Sequence, residues 1–349
     1  MKSPSSPTSL DVARRAGVSR SIVSGVLNGS LSTMRVSAET RERIIAAAAE
    51  LGYTPNPVAR ALRRQRSNVL GFVPRADRMT PYDSPVPFLL TVHLAQAGIQ
   101  HGYHFVEAST ESTRRHGNDD LVQFLQGRHV DGVVLDSPES AEEVARLIDR
   151  RLPVVQMIRP QPAVRTPSVM IDAIPGTTEA IRHLVACGHR EIGFIGTNGH
   201  HIVDRSRLEA FQHVLQESGI AARPEWISLV ENYNPDHGRQ AAHAIFARES
   251  RPTALFITGD NLALGALQHL YEQGIRIPDE LSVISYDDIF AGHLIPPLTS
   301  VHQPLQEAAN RAVSLLASSI ENGQAGVVDA DTVSLPTHLI QRGSVRNLA

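Results

Sequence analysis

The chain has 349 residues, 42% of them apolar and 20% charged, with a formal net charge of −3 and a single cysteine, Cys187. This is ordinary globular composition: it excludes a disulfide-stapled miniature fold, and no apolar run approaches membrane-spanning length. The small net charge conceals an asymmetry, because residues 1–66 hold eleven Lys/Arg against four Asp/Glu, a net +7, and leave −10 on the remainder. A basic head on an acidic body is the electrostatic pattern of a phosphate-binding module joined to a soluble domain.

The first seven residues form a polar, Pro/Ser-rich tail without an apolar signal region, so a cytoplasmic setting is expected. Cys187, at a predicted helix end, is then a reduced structural residue. Thr8 followed three residues later by Asp11 can cap a helix start reciprocally, which predicts a first helix to about Ala16. Gly17 supplies a tight turn and Ser19 the next N-cap, so Arg20 to Leu27 form a second helix. Its Ile22, Val23, Val26 and Leu27 can pack on Val12, Ala13 and Ala16, which leaves Arg20, Ser21 and Ser24 facing outward. A third helix follows the cap Ser37, keeps Ile44, Ala48 and Leu51 on one face, and stops at Gly52. The segment after Pro55 has a good N-cap in Asn56 and a first-turn proline in Pro57, but a helix of under two turns should not persist alone in water.

Beyond residue 66 strands and helices alternate. Apolar runs at 69–73, 130–135, 153–155, 192–196, 254–257 and 281–285 suit buried parallel strands. Helical stretches are expected near 88–101, 119–127, 140–150, 175–187, 205–218, 236–248 and 260–273. This alternation predicts doubly wound sheets whose ligands lie beyond the carboxyl ends of the strands.

Signals for catalysis or metal binding are weak. His200-His201 lacks the spacing of a helical ligand pair, and Asp119-Asp120 and Asp287-Asp288 are sequence neighbours that do not flank a scissile bond. There is no Walker-type phosphate loop and no Gly-x-Ser-x-Gly elbow. The expectation is a non-enzyme without catalytic residues, bound metal or cofactor.

Leu10-Asp11-Val12-Ala13, Ala16-Gly17-Val18-Ser19, Val23-Ser24, Val26-Leu27-Asn28, Val36-Ser37, Thr40-Arg41, Ala47-Ala48 and Glu50 to Asn56 together resemble the head of the lactose-repressor (LacI) family of bacterial transcription regulators. The likeness continues through Asp172, Leu184, Gly188-His189-Arg190, Pro252-Thr253-Ala254, Ala263-Leu264-Gly265, Tyr286-Asp287-Asp288, Pro297-Leu298-Thr299 and Arg342. It implies an all-α helix-turn-helix head, residues 1–66, and an α/β effector-binding and dimerisation body, residues 67–349. The body would comprise two doubly wound parallel-sheet subdomains of periplasmic binding protein type, about 67–170 with 304–332, and about 171–303 with 333–349. Three crossovers would join them around a ligand cleft.

The resemblance further implies a dimeric repressor of a palindromic operator, with no membrane partner and with affinity controlled by a small molecule, expected to be a sugar. Arg20, Ser21, Ser24 and Asn28 would read DNA from the second helix. Gly25 stands where the family commonly carries an Arg, so readout shifts toward Arg20, which suits the O6/N7 edge of guanine. Residues 56–64 would form the hinge helix, with Asn56, Ala59, Arg60 and Arg63 at the DNA and Leu62 as the wedge that opens a central base step. The stretch 29–35 is long for the loop it occupies.

For the effector, a guanidinium fork and a carboxylate suit vicinal hydroxyls, and an aromatic face covers C–H surface. By resemblance these are Arg207, Asp287 and Tyr233, joined by Phe88 as an apolar contact, Asp136 as a polar one and Asp260, which can also cap the helix it begins. Gly259 stands where relatives commonly carry a polar residue. A second reading, a cytoplasmic sugar-binding or sugar-converting protein without specific DNA binding, runs against the basic head and the missing export signal. The resemblance predicts that Arg20→Ala weakens operator binding by about 1–3 kcal/mol for half-sites with guanine at one position. Equal weakening across all half-sites in gel-shift titrations would make Arg20 a phosphate contact instead.

Overall fold

The computed structural model describes residues 7–27, 36–54, 66–74, 84–108, 125, 130–138, 140–198, 202–323 and 332–349. The predicted helix near 119–127, the 29–35 loop, Asn28 and the hinge residues Asn56, Ala59, Arg60, Leu62 and Arg63 lie outside these, apart from Leu125. The chain divides into two compact units, Met1–Asn68 and Val69–Ala349.

The first unit holds α1 (Ser9–Ala16), α2 (Arg20–Leu27) and α3 (Ala38–Glu50). Thr8 and Asp11 form the reciprocal cap: the Thr8 amide donates to Asp11 Oδ2 at 2.9 Å and the Asp11 amide to Thr8 Oγ1 at 3.4 Å. Gly17, at φ 65°, turns the chain into α2, a left-handed geometry that glycine adopts without a Cβ penalty. The end of α3 is closed by Gly52 at φ 64°, with the Tyr53 amide donating back to the Ala48 carbonyl at 2.8 Å. Val12, Ala13, Ala16, Val23, Val26, Ile44, Ala47 and Ala48 make one small core. Arg15 and Glu50 tie α1 to α3 at 2.7 Å.

The second unit is built on two six-stranded sheets. Sheet one contains β1 (Val69–Val73), β2 (His104–Glu107), β3 (Gly132–Asp136), β4 (Val154–Ile158), β5 (Ser168–Asp172) and β11 (Thr332–Pro336), in the order β11-β5-β4-β3-β1-β2, all parallel. Sheet two contains β6 (Ile192–Thr197), β7 (Ile227–Val230), β8 (Ala254–Ile257), β9 (Ser282–Asp287), β10 (Thr299–His302) and β12 (His338–Ile340), in the order β12-β10-β9-β8-β6-β7. It is parallel except where β12 runs against β10. The chain passes between the sheets after β5, after β10 and after β11.

Helices cover the sheets: α4 (Val86–Gln100), α5 (Ala141–Asp149), α6 (Ile174–Ala186), α7 (Ile202–Glu217), α8 (Pro235–Phe246), α9 (Asp260–Glu272) and α10 (Leu305–Glu321). Six strands and α10 carry no expectation from sequence. Of these, β2, β7, β11 and β12 lie at or beside sheet edges and are half exposed, while β5 and β10 interrupt their apolar pattern with Ser168, Thr299 and Ser300. Two expected strands also run further than predicted, so Asp136 and Asp287 end β3 and β9 within the ladder rather than following them.

Two glycines let α8 and α9 meet backbone to backbone. A Cβ on Gly238 falls 2.1 Å from the Leu262 carbonyl oxygen, and one on Gly265 falls 1.7 Å from that of Pro235. A methyl group at either place forces the helices apart, because backbone cannot step aside as a flexible side chain can. Gly238→Ala is expected to lower unfolding free energy by about 3 kcal/mol or more, measured by urea denaturation.

Candidate ligand cleft and DNA-reading surface

Strand ends from both sheets converge on one narrow cleft. From sheet one and its connections come Ser84, Val86, Asp136, Ser137, Ile158, Arg159, Ile171 and Ala173. Facing them are Arg207, Tyr233, Tyr286, Asp287 and Gln303.

Helix rotation places Arg207. Phe211 is fully buried and packs on Phe194 with ring centroids 5.1 Å apart, and Phe194, Phe256 and Tyr286 continue the file at 6.0 and 6.5 Å. One turn before Phe211 on the same face of α7, Arg207 is carried over Tyr286, its guanidinium carbon 3.7 Å from the ring centroid. Its Nη1 donates to the Tyr233 hydroxyl at 3.1 Å and the Thr258 carbonyl at 3.0 Å. Complete burial pushes the Tyr286 phenol up from its ordinary value, so it stays neutral beneath the cation.

Asp287 ends β9 with φ 94°, and its Oδ1 accepts from Gln303 Nε2 at 2.5 Å. Asp136 accepts from the Ser137 hydroxyl at 2.8 Å. A Cβ on Gly259 would stand 2.8 Å from Tyr233 Cδ1 and 3.4 Å from Asp287 Oδ2. The missing side chain at 259 therefore lets the Tyr233 ring close onto the backbone beside Asp287.

Four expected ligand residues, Asp136, Arg207, Tyr233 and Asp287, line this cleft, and two do not. Phe88 is exposed on α4. Val86, Leu90, Leu94 and Ala97 form the buried stripe that sets the rotation of α4, and Phe88 lies about 200° round from Val86. Val86 takes the cleft position. Asp260 is fully buried elsewhere: it accepts from the Ser285 hydroxyl at 2.9 Å and from the amides of Ile289, Phe290 and Ala291 at 2.8, 3.0 and 3.2 Å. Nor does it cap α9, since Gly259 occupies the N-cap and Asp260 is the first helical residue. Desolvation raises its pKa against the opposing pull of those donors. Ser137, Ile158, Arg159, Ile171, Tyr286 and Gln303 were missed, although each sits at the carboxyl end of a strand, where open α/β sheets bind ligands.

In the head, Arg20 is exposed at the start of α2, with Nε donating to Ser9 Oγ at 2.9 Å. Ser21 is exposed and 2.8 Å from Ser19 Oγ, and Ser24 is partly exposed. Gly25 is buried with Val23 and Val26 and presents no surface of its own.

Residues 8–56 match the family described as bacterial regulatory proteins, lacI family, and residues 181–345 match the periplasmic binding protein-like domain. The transcriptional repressor PurR of Haemophilus influenzae (strain PittEE) is 30% identical over 341 residues, 97% of this chain and 98% of its own. The chain belongs to the LacI family. The lac repressor dimer bound to operator and the anti-inducer ONPF superposes with a TM-score of 0.79 at 25% identity, over 97% of this chain and 99% of that one. The transcriptional regulator CelR in complex with cellobiose gives 0.69 at 30% identity, over 97% and 99%. As a LacI-family member the chain is a DNA-binding transcriptional repressor, not an enzyme. No helix among the described residues is long and apolar enough to cross a membrane.

The cleft floor continues into a charged cluster. Arg342 Nη1 contacts Asp288 Oδ1 at 2.7 Å, and His302 Nδ1 lies 3.3 Å from Asp288 Oδ2. Burial pushes the Asp288 carboxyl up, but the hydrogen bonds from His302 and Arg342 outweigh it and hold the pKa below the ordinary 3.8. A folded-state pKa lowered in this way stabilises the fold above the unfolded value, and the contribution disappears as pH falls through the folded one. Asp288→Asn is therefore expected to lose less stability than the parent protein between about pH 5 and about pH 3 in urea melts. Identical slopes would show that this cluster adds nothing to the acid sensitivity.

Proposed function

We propose that this repressor binds a palindromic operator as a homodimer, and that a small molecule in the cleft, a sugar or sugar derivative, controls its affinity for DNA. The observation that carries the ligand half is the meeting of Arg207, Tyr233 and Asp287 with Asp136 across a cleft built from two sheets. A guanidinium, a phenol and carboxylates offer the donors and acceptors that hydroxyl groups need, and Tyr233 and Tyr286 offer ring faces. The cellobiose complex of a relative is consistent with such a ligand.

Exposed apolar residues on the body suit a second copy of the chain. Phe88, Val92 and Ile99 run along one side of α4, while Tyr271 and Ile295, 86% and 93% exposed, stand out on the other half of the body. Monomeric surfaces scatter apolar residues singly, whereas a stripe along one helix marks a contact. Two-fold pairing would present both copies of α2 to successive half-sites and both segments 56–64 to the centre. Arg20, Ser21 and Ser24 would then read bases while Leu62 wedges the central step.

The test uses the full chain with operator fragments and a thermal-shift screen of sugars, polyols and nucleobases. Arg207→Ala should abolish the shift given by any hit while leaving ligand-free operator affinity unchanged. Leu62→Ala should lower operator affinity by at least about tenfold and leave the hit's shift intact. If neither variant separates the two activities, the assignment of cleft and hinge is wrong.

A further inference from the structure

The three passages between the sheets are tied to one another where they meet sheet two. The Thr337 amide and hydroxyl both donate to the Asp172 carbonyl, at 3.1 and 2.8 Å, which joins the passage after β11 to the one after β5. The passage after β10 is joined to them by the antiparallel pairing of β10 with β12, in which His302, the last residue of β10, stands directly opposite His338, the first of β12. Residues opposite each other in such a pair have Cβ atoms about 5 Å apart. The two imidazole rings therefore meet, with centroids 5.1 Å apart and planes at 51°.

Both rings are open to solvent, His338 exposed and the His302 side chain 39% exposed. One of them is oriented. The Asp288 carboxyl is held ionised by His302 and Arg342, and an ionised carboxylate only accepts, so His302 Nδ1 donates to Asp288 Oδ2 at 3.3 Å. A neutral imidazole with its hydrogen on Nδ1 carries its lone pair on Nε2, the nitrogen turned away from Asp288. A carboxylate behind a histidine in this way fixes the tautomer and raises the basicity of a metal-binding nitrogen. The nearby cation is already engaged, since Arg342 Nη1 lies 2.7 Å from Asp288 Oδ1 and donates to the Leu298 carbonyl at 2.8 Å. The ring separation also fits: zinc bonds an imidazole nitrogen at about 2.0–2.1 Å, which places it about 3.2 Å from the ring centroid, and a tetrahedral angle then sets two centroids about 5 Å apart.

We propose that His302 and His338 are the protein ligands of a divalent transition-metal site of zinc type, oriented by Asp288, which clamps β10 to β12 where two of the passages between the sheets begin and end. No set of three His, Cys, Asp or Glu ligands forms among the described residues, so solvent completes the coordination, as in an open site. Imidazole donors select Zn²⁺, Ni²⁺ and Cu²⁺ over Mg²⁺ and Ca²⁺, which take oxygen ligands. Histidines so far apart in the chain carry no spacing signal, and only the pairing of β10 with β12 brings them together, which is why the sequence alone points to no metal. A second ring pair, His243 and His269 with centroids 5.2 Å apart, lies on α8 and α9 with no carboxylate hydrogen-bonded to either ring among the described residues, and it serves as the control.

The experiment titrates untagged full-length protein, stripped with EDTA, with ZnCl2 by calorimetry, and repeats the titration with MgCl2 and CaCl2. One Zn²⁺ per chain is expected, with no site for Mg²⁺ or Ca²⁺. His302→Ala and His338→Ala should each weaken the site by at least about tenfold and Asp288→Asn by about tenfold, while His243→Ala leaves it unchanged. Zn²⁺ should raise the melting temperature of the parent protein but not that of His338→Ala, an exposed position whose metal-free melting temperature shows that the variant folds. With CuCl2, electron paramagnetic resonance should show two nitrogen donors in the parent and one in His338→Ala. Absence of stoichiometric Zn²⁺ binding, binding that survives either histidine substitution, or loss of binding in His243→Ala would each overturn the site. An affinity unmoved in Asp288→Asn would overturn the orienting role of the carboxylate.

Discussion

One buried carboxylate holds the floor of the cleft. Asp260 gathers the amides of Ile289, Phe290 and Ala291 and the hydroxyl of Ser285 onto its two oxygens, and Ser285 passes the network on to Ser300 at 2.8 Å. A backbone leaving a strand inside a protein must find partners for its amides, and three amides aimed at one anion satisfy that need together. The consequence is geometric. With residues 289–291 fixed, Asp287 and Asp288 are held at φ 94° and 56°, one lining the cleft and the other facing Arg342 and His302. From the same loop Ile289 reaches across to pack against the core of sheet one. Asp260 therefore serves the site without touching its contents, as a positioning residue beneath Asp287.

Much of this was written locally enough to be read from sequence. The Thr8/Asp11 cap, Gly17 and Gly52 involve partners a few residues apart, and the structure forms each of them. Arg207 was placed by family resemblance, and its spacing of one helical turn from Phe211 agrees with the face the structure gives it. What could not be read depends on distant partners. Phe88 and Val86 differ by two positions, and only the packing of Leu90 and Leu94 against sheet one decides which of them the cleft receives. Asp260 carries the same residue type whether it binds a ligand or a loop, and its role is set by residues 25 to 31 positions away. The α10 stripe of Leu305, Ala308, Ala309, Ala312, Val313 and Leu316 has helical periodicity that the sequence reading passed over, whereas half-exposed β2 and β12 offer no comparable pattern. The strain at Ile158, φ 63°, has no sequence signature, because nothing about Met157-Ile158-Arg159 announces a left-handed isoleucine.

The cleft also shows how glycine shapes a site by what it omits. At 259 the extended backbone, φ −179°, suits any residue, so the constraint is space rather than conformation. A side chain there would meet the Tyr233 ring and approach Asp287, and the hydroxyl that Arg207 grips would have to move with the ring. Tyr233, Arg207 and Tyr286 are then one unit: the guanidinium stacks on one phenol and donates to the other, and the aromatic file behind Tyr286 keeps it in register. A polar residue gained at 259 would be lost again in the displacement of Tyr233.

Control of DNA binding requires a ligand to favour one arrangement of the body over another, since a molecule that binds both equally shifts nothing. Contacts to a single sheet cannot supply that difference, because each sheet with its helices moves as a packed layer and keeps its own surface unchanged. This cleft draws Asp136, Ile158 and Arg159 from one sheet and Arg207, Tyr233 and Asp287 from the other. Gln303, which holds Asp287, lies in the connection that leaves β10 for α10, one of the three passages between the sheets. Any change in the angle between the layers alters the distance between the two sets of contacts while leaving each set intact. A ligand spanning both walls would therefore prefer one angle, and the two sets of contacts would contribute to the coupling only when one molecule touches both.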